Sequence, residues 1–208
     1  MADKKADAEA FVKRWHGKGN ENQDAQLFWI DFLQSVLGME DAIPLLKFET
    51  PVSTAVSDHN GHIDVLMPAA KVIVEQKSLG IDLAKPEVRQ GRDVTPAQQA
   101  LAYAQGLPLS QQPRYIVACN FAELWVYDRE RDALCKKEPL FQLPLEDLSK
   151  NLAAVQFLKG TGAAPASISQ AVSVEAGKIM SELDWSRFLG RKNKLLQATS
   201  RSRSHGAL

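Results

Sequence analysis

Two short apolar stretches between His62 and Lys77 constrain the fold of this chain more than any other feature. Each has the length of a β-strand, and residues 68–71 between them have the length of a four-residue hairpin loop. In that hairpin Met67 pairs with Val72. In the run from Lys71 to Val74, residues 72–74 are apolar on both strand faces, as is usual for a strand in the interior of a sheet. The segment therefore predicts an antiparallel hairpin whose second strand is central.

Both predicted strands carry an acid where an apolar residue would pack better. The hairpin register places Asp64 opposite Glu75, and Lys77 shares a face with Glu75 because residues two apart in a strand point the same way. Like charges directly across a ladder, with Cβ atoms about 5 Å apart, are destabilising. The pattern D-x10-E-x-K therefore predicts a hard divalent cation such as Mg²⁺ between the carboxylates, with Lys77 stabilising charge on a phosphoryl group.

A simpler interpretation of these residues is also open. A Glu-x-Lys triplet in a strand is commonly an ion pair on a solvated face. In addition, a one-residue shift of the hairpin would send Asp64 and Glu75 to opposite faces. His62 shares a face with Asp64 and is a possible neighbour of the site.

Two predicted helices contribute further polar side chains. The first follows the break at residues 17–22 and has Glu21 in its first turn, where a carboxylate either complements the helix dipole or joins the metal ligands. The second has Thr95 as N-cap, Pro96 at the first helical position and a capping box closed by residue 98. It carries Gln99 and Tyr103 four residues apart on one face, a spacing that ordinary amphipathic surfaces also show.

In chain order, Glu21, Asp64, Glu75-x-Lys77 and Gln99-x3-Tyr103 resemble the PD-(D/E)xK nuclease superfamily, in its branch with a RecB-like Q-x3-Y helix. Four longer phrases, over roughly residues 10 to 182, are similar to the amino-terminal nuclease region of single-chain type IIL restriction-modification enzymes of the MmeI group. They are GNENQDAQLFWIDFLQSVLG, HIDVLMPAAKVIVEQKS, QALAYA and RYIVACNFAELWVYD.

The resemblance implies an α/β fold with a mixed central β-sheet flanked by helices, and Mg²⁺-dependent cleavage of double-stranded DNA, with Mn²⁺ as a substitute. It makes Asp64 and Glu75 metal ligands, Glu21 an additional one, Lys77 the catalytic lysine, and the Gln99-x3-Tyr103 pair supporting residues. Such enzymes join the nuclease through a helical spacer to an adenine methyltransferase, which uses S-adenosylmethionine, and to a target-recognition domain. We therefore expect a nuclease domain over residues 1–158, a linker over 159–171, and the start of a spacer with a disordered or truncated tail over 172–208.

At 208 residues the chain is shorter than such an enzyme, and it contains no glycine-rich cofactor loop or N-P-P-Y-like tetrapeptide of a methyltransferase. We therefore expect a fragment or a stand-alone relative. A nuclease-fold interaction module without activity is the alternative function, because fold alone does not fix chemistry.

The formal net charge of zero is not typical of a protein that holds DNA by its own field. Lys85, Arg89 and Arg92 nevertheless follow the E-x-K strand, in a predicted loop over residues 79–94, where they either touch phosphates near the metal site or are merely solvated. The N-terminus lacks the apolar core of a signal peptide, and no apolar run is long enough to span a membrane, which predicts a cytoplasmic protein of bacterial type. The two cysteines do not suggest a disulfide framework.

The remaining predicted elements are placed by apolar periodicity and turn residues. They are a helix over residues 4–15, strands over 46–53, 115–119 and 124–127, a helix over 144–158 and a helix over 172–183.

Overall fold

The computed structural model describes residues 2–53, 60–89 and 91–166. The expected spacer over residues 172–208 and its helix lie outside these ranges, as does the end of the expected linker. Among the described residues, no helix is both long and apolar enough to cross a bilayer.

Six strands form a mixed central sheet, in the order β1-β2-β3-β6-β7-β8. Only β3 and β6 run parallel, and every other neighbouring pair is antiparallel. A separate hairpin is formed by β4 and β5. The strands are β1 (Lys47–Ser53), β2 (Asn60–Met67), β3 (Val72–Gln76), β4 (Glu87–Arg89), β5 (Arg92–Val94), β6 (Tyr115–Cys119), β7 (Glu123–Asp128) and β8 (Phe141–Pro144).

Helices cover both faces of this sheet, so the expected mixed sheet flanked by helices is confirmed. One face packs against α1 (Ala2–Trp15) and α2 (Glu21–Asp31), which continues into a π-helical turn (Phe32–Val36). The other face packs against α3 (Pro96–Gln105), the helix that connects the parallel strands β3 and β6. Short 3₁₀ helices are formed by Ile43–Leu45, Leu109–Gln111, Leu145–Lys150 and Leu152–Lys159.

The β2–β3 hairpin has the register that the sequence predicts. Met67 pairs with Val72 and Val65 pairs with Val74, across a loop over residues 68–71. Lys71 closes the loop in a left-handed conformation, with φ 53°. β3 lies between β2 and β6, so its central position is also confirmed.

The side chains of β3 alternate between the two cores. Val72 and Val74 pack on the α1 and α2 side, whereas Ile73 packs on the α3 side. Since strand residues two apart share a face, Glu75 and Lys77 follow Ile73 to the α3 side.

β2 does not alternate regularly. Ile63 packs on the α3 side and Val65 on the opposite side, although residues two apart in a regular strand share a face. The change falls at Asp64, and Glu49, which stands opposite in the β1–β2 register, has a left-handed φ of 46°. The sheet is therefore distorted at the position of Asp64.

The predicted elements need three corrections. The loop over residues 79–94 contains the β4–β5 hairpin, whose three-residue strands are too short and too charged to show a strand pattern. Strand β8 was not predicted. The helix over residues 144–158 is two 3₁₀ helices, because Asn151 between them leaves the helical region and its side chain donates to the carbonyl of Asp147.

Candidate active site

A buried ion pair lies where β3 ends. Lys77 Nζ donates to Glu75 Oε1 at 2.8 Å, and the two residues are only 4% and 2% exposed. Charged residues are almost never this buried unless they are paired. The alternative of an ion pair on a solvated face is therefore wrong.

Asp64 is fixed beside this pair by the backbone. The β2–β3 ladder ends at Val65 and Val74, and beyond that point Asp64 Oδ2 accepts the backbone N–H of Gln76 at 2.7 Å. One more step in the same register places Asp64 opposite Glu75. The carboxylate thus takes the place of a backbone carbonyl as the acceptor of this N–H, at the point where β2 and β3 separate.

Burial perturbs the pKa values of both acids. Burial raises the pKa of Glu75 to about 8, and the charge of Asp64 adds to this shift. Burial also raises the pKa of Asp64 to about 6, although the hydrogen bond from Gln76 opposes the change. Burial lowers the pKa of Lys77, but attraction to Glu75 outweighs it and the net pKa is raised. The two acids therefore resist joint ionisation.

One oxygen of this site has no partner. Glu75 Oε2 is buried and accepts no hydrogen bond from any described residue. A buried acceptor without a partner costs free energy, about 1–3 kcal/mol or more when charged. Carboxylate oxygens are ligands that hard divalent cations prefer, so Glu75 together with Asp64 fits such an ion.

Helix α3 extends the site by a chain of hydrogen bonds. Its start has the predicted capping box at Thr95, which fixes the first turn. Lys77 Nζ donates to Gln99 Oε1 at 3.3 Å, and Gln99 Nε2 donates to the hydroxyl of Tyr103 at 3.2 Å. The Q-x3-Y pair therefore continues the Glu75–Lys77 pair and is not an ordinary amphipathic surface.

Tyr103 is also positioned by a glycine on β2. A Cβ at Gly61 would clash with Cε1 of the Tyr103 ring, so the ring lies directly on the strand backbone. Only glycine permits this approach of α3 to β2.

Glu21 lies at the edge of the site. Its Oε2 accepts the backbone N–H of Ser78 at 3.0 Å, and its own backbone N–H donates to Ser78 Oγ. Over residues 2–53, 60–89 and 91–166, no three His, Cys, Asp or Glu side chains gather closely enough to hold one ion. The structure thus joins Glu21 to the residue after Lys77, and does not bring it into a three-ligand cluster with Asp64 and Glu75.

Two neighbours of the site were not predicted for it. Glu49 stands opposite Asp64, and its charge raises the pKa of Asp64 further after burial. Trp29 Nε1 donates to Gln76 Oε1 at 2.9 Å on the other face of β3. Neither residue has a sequence signal, since each contact depends on strand register or helix packing. His62 is exposed and pairs with Pro51 of β1.

A further neighbour is Arg89, for which the sequence left open a phosphate contact near the metal site or a solvated position. Its charge lowers the pKa of Glu75, though less than burial raises it, and it also lowers the pKa of Lys77. The charge of Arg89 therefore acts on the buried pair, although its guanidinium is exposed and paired with Glu87.

Comparison with known families identifies the chain. The family model described as "MmeI, N-terminal domain" matches residues 6–186, which is most of the sequence and contains every residue of the candidate site. The chain belongs to the MmeI N-terminal domain family. The resemblance drawn from the sequence is confirmed at this level, and the chain represents the N-terminal region of a restriction-modification enzyme. No curated protein and no solved structure matches this MmeI-family chain.

Proposed function

We propose that this chain is the Mg²⁺-dependent endonuclease domain of a restriction-modification enzyme, with a PD-(D/E)xK active site that hydrolyses double-stranded DNA. One observation carries the proposal: a buried Glu75–Lys77 pair, with an unpartnered carboxylate oxygen, lies across from Asp64 where two strands separate. A surface ion pair or a purely structural acid has no reason to be built this way.

Asp64 and Glu75 would hold the metal. The donor set fits, because both side chains offer carboxylate oxygens, and a cation would offset the cost of ionising two acids whose pKa values burial raises. Bound there, Mg²⁺ would supply Lewis acidity towards the scissile phosphate and lower the pKa of a water. Glu21 would act at a distance, by fixing the backbone that follows Lys77.

Lys77 would stabilise charge on the reacting phosphate. An ammonium group has three N–H donors, and within the described residues Lys77 uses two of them, on Glu75 and Gln99. The third is available to a phosphate oxygen. In the reaction, the oxygen of water bonds to phosphorus, a phosphorus–oxygen bond of the DNA breaks, and the leaving oxygen takes up a proton. Gln99 and Tyr103 would keep the ammonium in place.

Sequence recognition would come from elsewhere in a full-length enzyme. A net charge of zero provides little long-range attraction for DNA. A target-recognition domain and a methyltransferase that uses S-adenosylmethionine would supply binding and protection.

The proposal is tested by measuring the rate at which long natural DNA is cleaved in the presence of Mg²⁺. The wild-type chain is compared with the variant Lys77→Met. We expect cleavage by the wild-type chain, and a rate at least about 100-fold lower for Lys77→Met, as for other groups that stabilise transition-state charge. Glu75→Gln is a second variant that should also lose cleavage, and it tests the site independently if Lys77→Met does not fold. Lys136→Met is the matched control, because this lysine is exposed and lies away from the site.

Absence of Mg²⁺-dependent cleavage by the wild-type chain would contradict the proposal and favour the inactive interaction module. Cleavage at the wild-type rate by folded Lys77→Met would contradict the role of the lysine.

A further inference from the structure

The hairpin β4–β5 is inserted between two elements that build the site. It follows β3, which ends at the Glu75–Lys77 pair, and it precedes α3, which carries Gln99. Its stem is anchored: Leu83 is buried, and Asn120 Nδ2 donates to the carbonyl of Ile81 at 2.8 Å. The segment that leads into the hairpin is therefore held beside the site.

Two arginines oppose each other in this hairpin. Arg89 of β4 pairs with Arg92 of β5, and both side chains are exposed. Like charges directly across a ladder are destabilising. Glu87 offsets part of the repulsion through an exposed ion pair with Arg89, a type of pair that contributes little. Arg92 forms no ion pair with any described residue. The arrangement favours an anion bound at both guanidinium groups.

The anion that fits is a nucleic-acid backbone. Guanidinium groups bind phosphate oxygens through paired N–H donors, and successive phosphates along a strand match a row of two cations. The chain that leads into the hairpin lies next to the site, because the carbonyl of Cys119 accepts the backbone N–H of Lys77 at 2.7 Å and the side chain of the following residue donates to the carbonyl of Ile81. The other strand face of the hairpin presents Val88, which is 73% exposed, opposite Asp93, and carries no cation.

We propose that the β4–β5 hairpin is a phosphate clamp, in which Arg89 and Arg92 bind the DNA backbone next to the scissile phosphate. The clamp rests on the proposed nuclease function and adds the surface by which this domain itself holds its substrate. It makes binding by the domain independent of the DNA sequence, because phosphate contacts fix position without reading bases.

Salt-dependent binding of a DNA duplex to the full chain tests the clamp. Binding is measured by fluorescence anisotropy in EDTA, so that no cleavage intervenes, for wild type and for the double variant Arg89→Ala/Arg92→Ala. Loss of two phosphate contacts should reduce the slope of log K against log salt by about 2 and weaken binding at low salt at least tenfold. The double variant Arg89→Lys/Arg92→Lys keeps both positive charges and should therefore keep most of the salt dependence of binding. The matched control is Lys136→Ala/Lys137→Ala, which removes the same charge from exposed residues elsewhere and should leave the slope unchanged.

An unchanged slope in the arginine double variant, or no binding of DNA by the wild type, overturns the clamp. Equal affinity of the wild-type chain for polyglutamate also overturns it, because the surface then suits any polyanion. Failure of the nuclease function is recognised separately, as the absence of Mg²⁺-dependent cleavage by a wild-type chain that still binds DNA through the two arginines.

Discussion

Asp64 has two structural roles that act in opposite directions on stability. Its Oδ2 accepts the backbone N–H of Gln76 and so closes the end of the β2–β3 ladder. The same carboxylate is half-buried beside Glu75, and its pKa is raised to about 6. An acid whose pKa is higher in the folded than in the unfolded state destabilises the fold once it ionises. Its negative charge is therefore a cost that function would explain.

Replacing Asp64 by Asn separates the two roles. Asn keeps an oxygen that accepts from Gln76 but removes the charge. We expect Asp64→Asn to stabilise the metal-free protein at pH 7.5. A pKa raised by about two units corresponds to roughly 3 kcal/mol, and solvent screening at a half-buried group reduces this, so the gain should be on the order of 2 kcal/mol at most. Thermal melting in EDTA measures the change. A lower melting temperature for Asp64→Asn would mean that the carboxylate is structural.

Asp31 provides a control of opposite sign. Burial raises its pKa, but hydrogen bonds from Arg14, Ser35 and Trp15 outweigh burial and leave that pKa below the ordinary value. Such an acid contributes stability above its unfolded pKa and loses it as the pH falls. Asp31→Asn should therefore lower the melting temperature at pH 7.5 and approach wild type only in acid. A gain in stability from both substitutions would point to a general charge effect and not to the site.

At the scale of elements, the site depends on how closely α3 approaches β2. The ring of Tyr103 lies on the backbone of Gly61, and the same tyrosine accepts the hydrogen bond from Gln99. A change in the spacing between these two elements thus reaches Lys77 through Gln99.

Gly61→Ala should disturb this spacing. The added methyl group forces the Tyr103 ring to move, and such overpacking typically costs about 1–3 kcal/mol. We expect a lower melting temperature and slower Mg²⁺-dependent cleavage. The double variant Gly61→Ala/Tyr103→Leu removes the clash and should recover most of the stability but not the cleavage rate. The single variant Tyr103→Leu completes the comparison. If the double variant loses as much stability as the two single variants together, the two residues are not coupled.

Local patterns predicted the hairpin register and the start of α3, and through them the neighbours of Glu75. The loop length fixed the pairing of Met67 with Val72, and the Thr95 capping box depends only on residues adjacent in sequence. The burial of Lys77 and the contact of Glu21 with Ser78 depend on packing between distant elements, which local patterns do not contain. The β4–β5 hairpin was not predicted for a different reason. Three residues per strand are too few to show the alternation of apolar and polar residues that marks a strand.

At the scale of the whole molecule, two raised carboxyl pKa values make stability depend on pH. The folded protein binds more protons than the unfolded chain between the ordinary pKa of an acid, about 4, and the raised values near 6 and 8. The free energy of unfolding therefore falls as the pH rises through that window.

Mg²⁺ should reverse this dependence. Its carboxylate ligands must be ionised, so binding is weak in acid and strengthens as the pH rises. A ligand that binds only the folded state stabilises it by about 2.7 kcal/mol at 100 times its dissociation constant. We expect the increase in melting temperature with Mg²⁺ to be larger at pH 8 than at pH 5.5 in the wild type, and absent in Asp64→Asn. An equal increase in both proteins would place the metal elsewhere.

The single parallel pair in the sheet has a consequence for how the molecule folds. The β2–β3 hairpin closes through a short loop, and hairpins form in about 1–10 μs. Pairing of β3 with β6 must wait until the long crossover through α3 is ordered, and such non-local pairing is slow. Asp64 and Glu75 thus meet first in a hairpin open to water, where repulsion between them is screened. Their charges become costly only when α3 docks, so acidic pH should accelerate the last step of folding and leave the first unchanged.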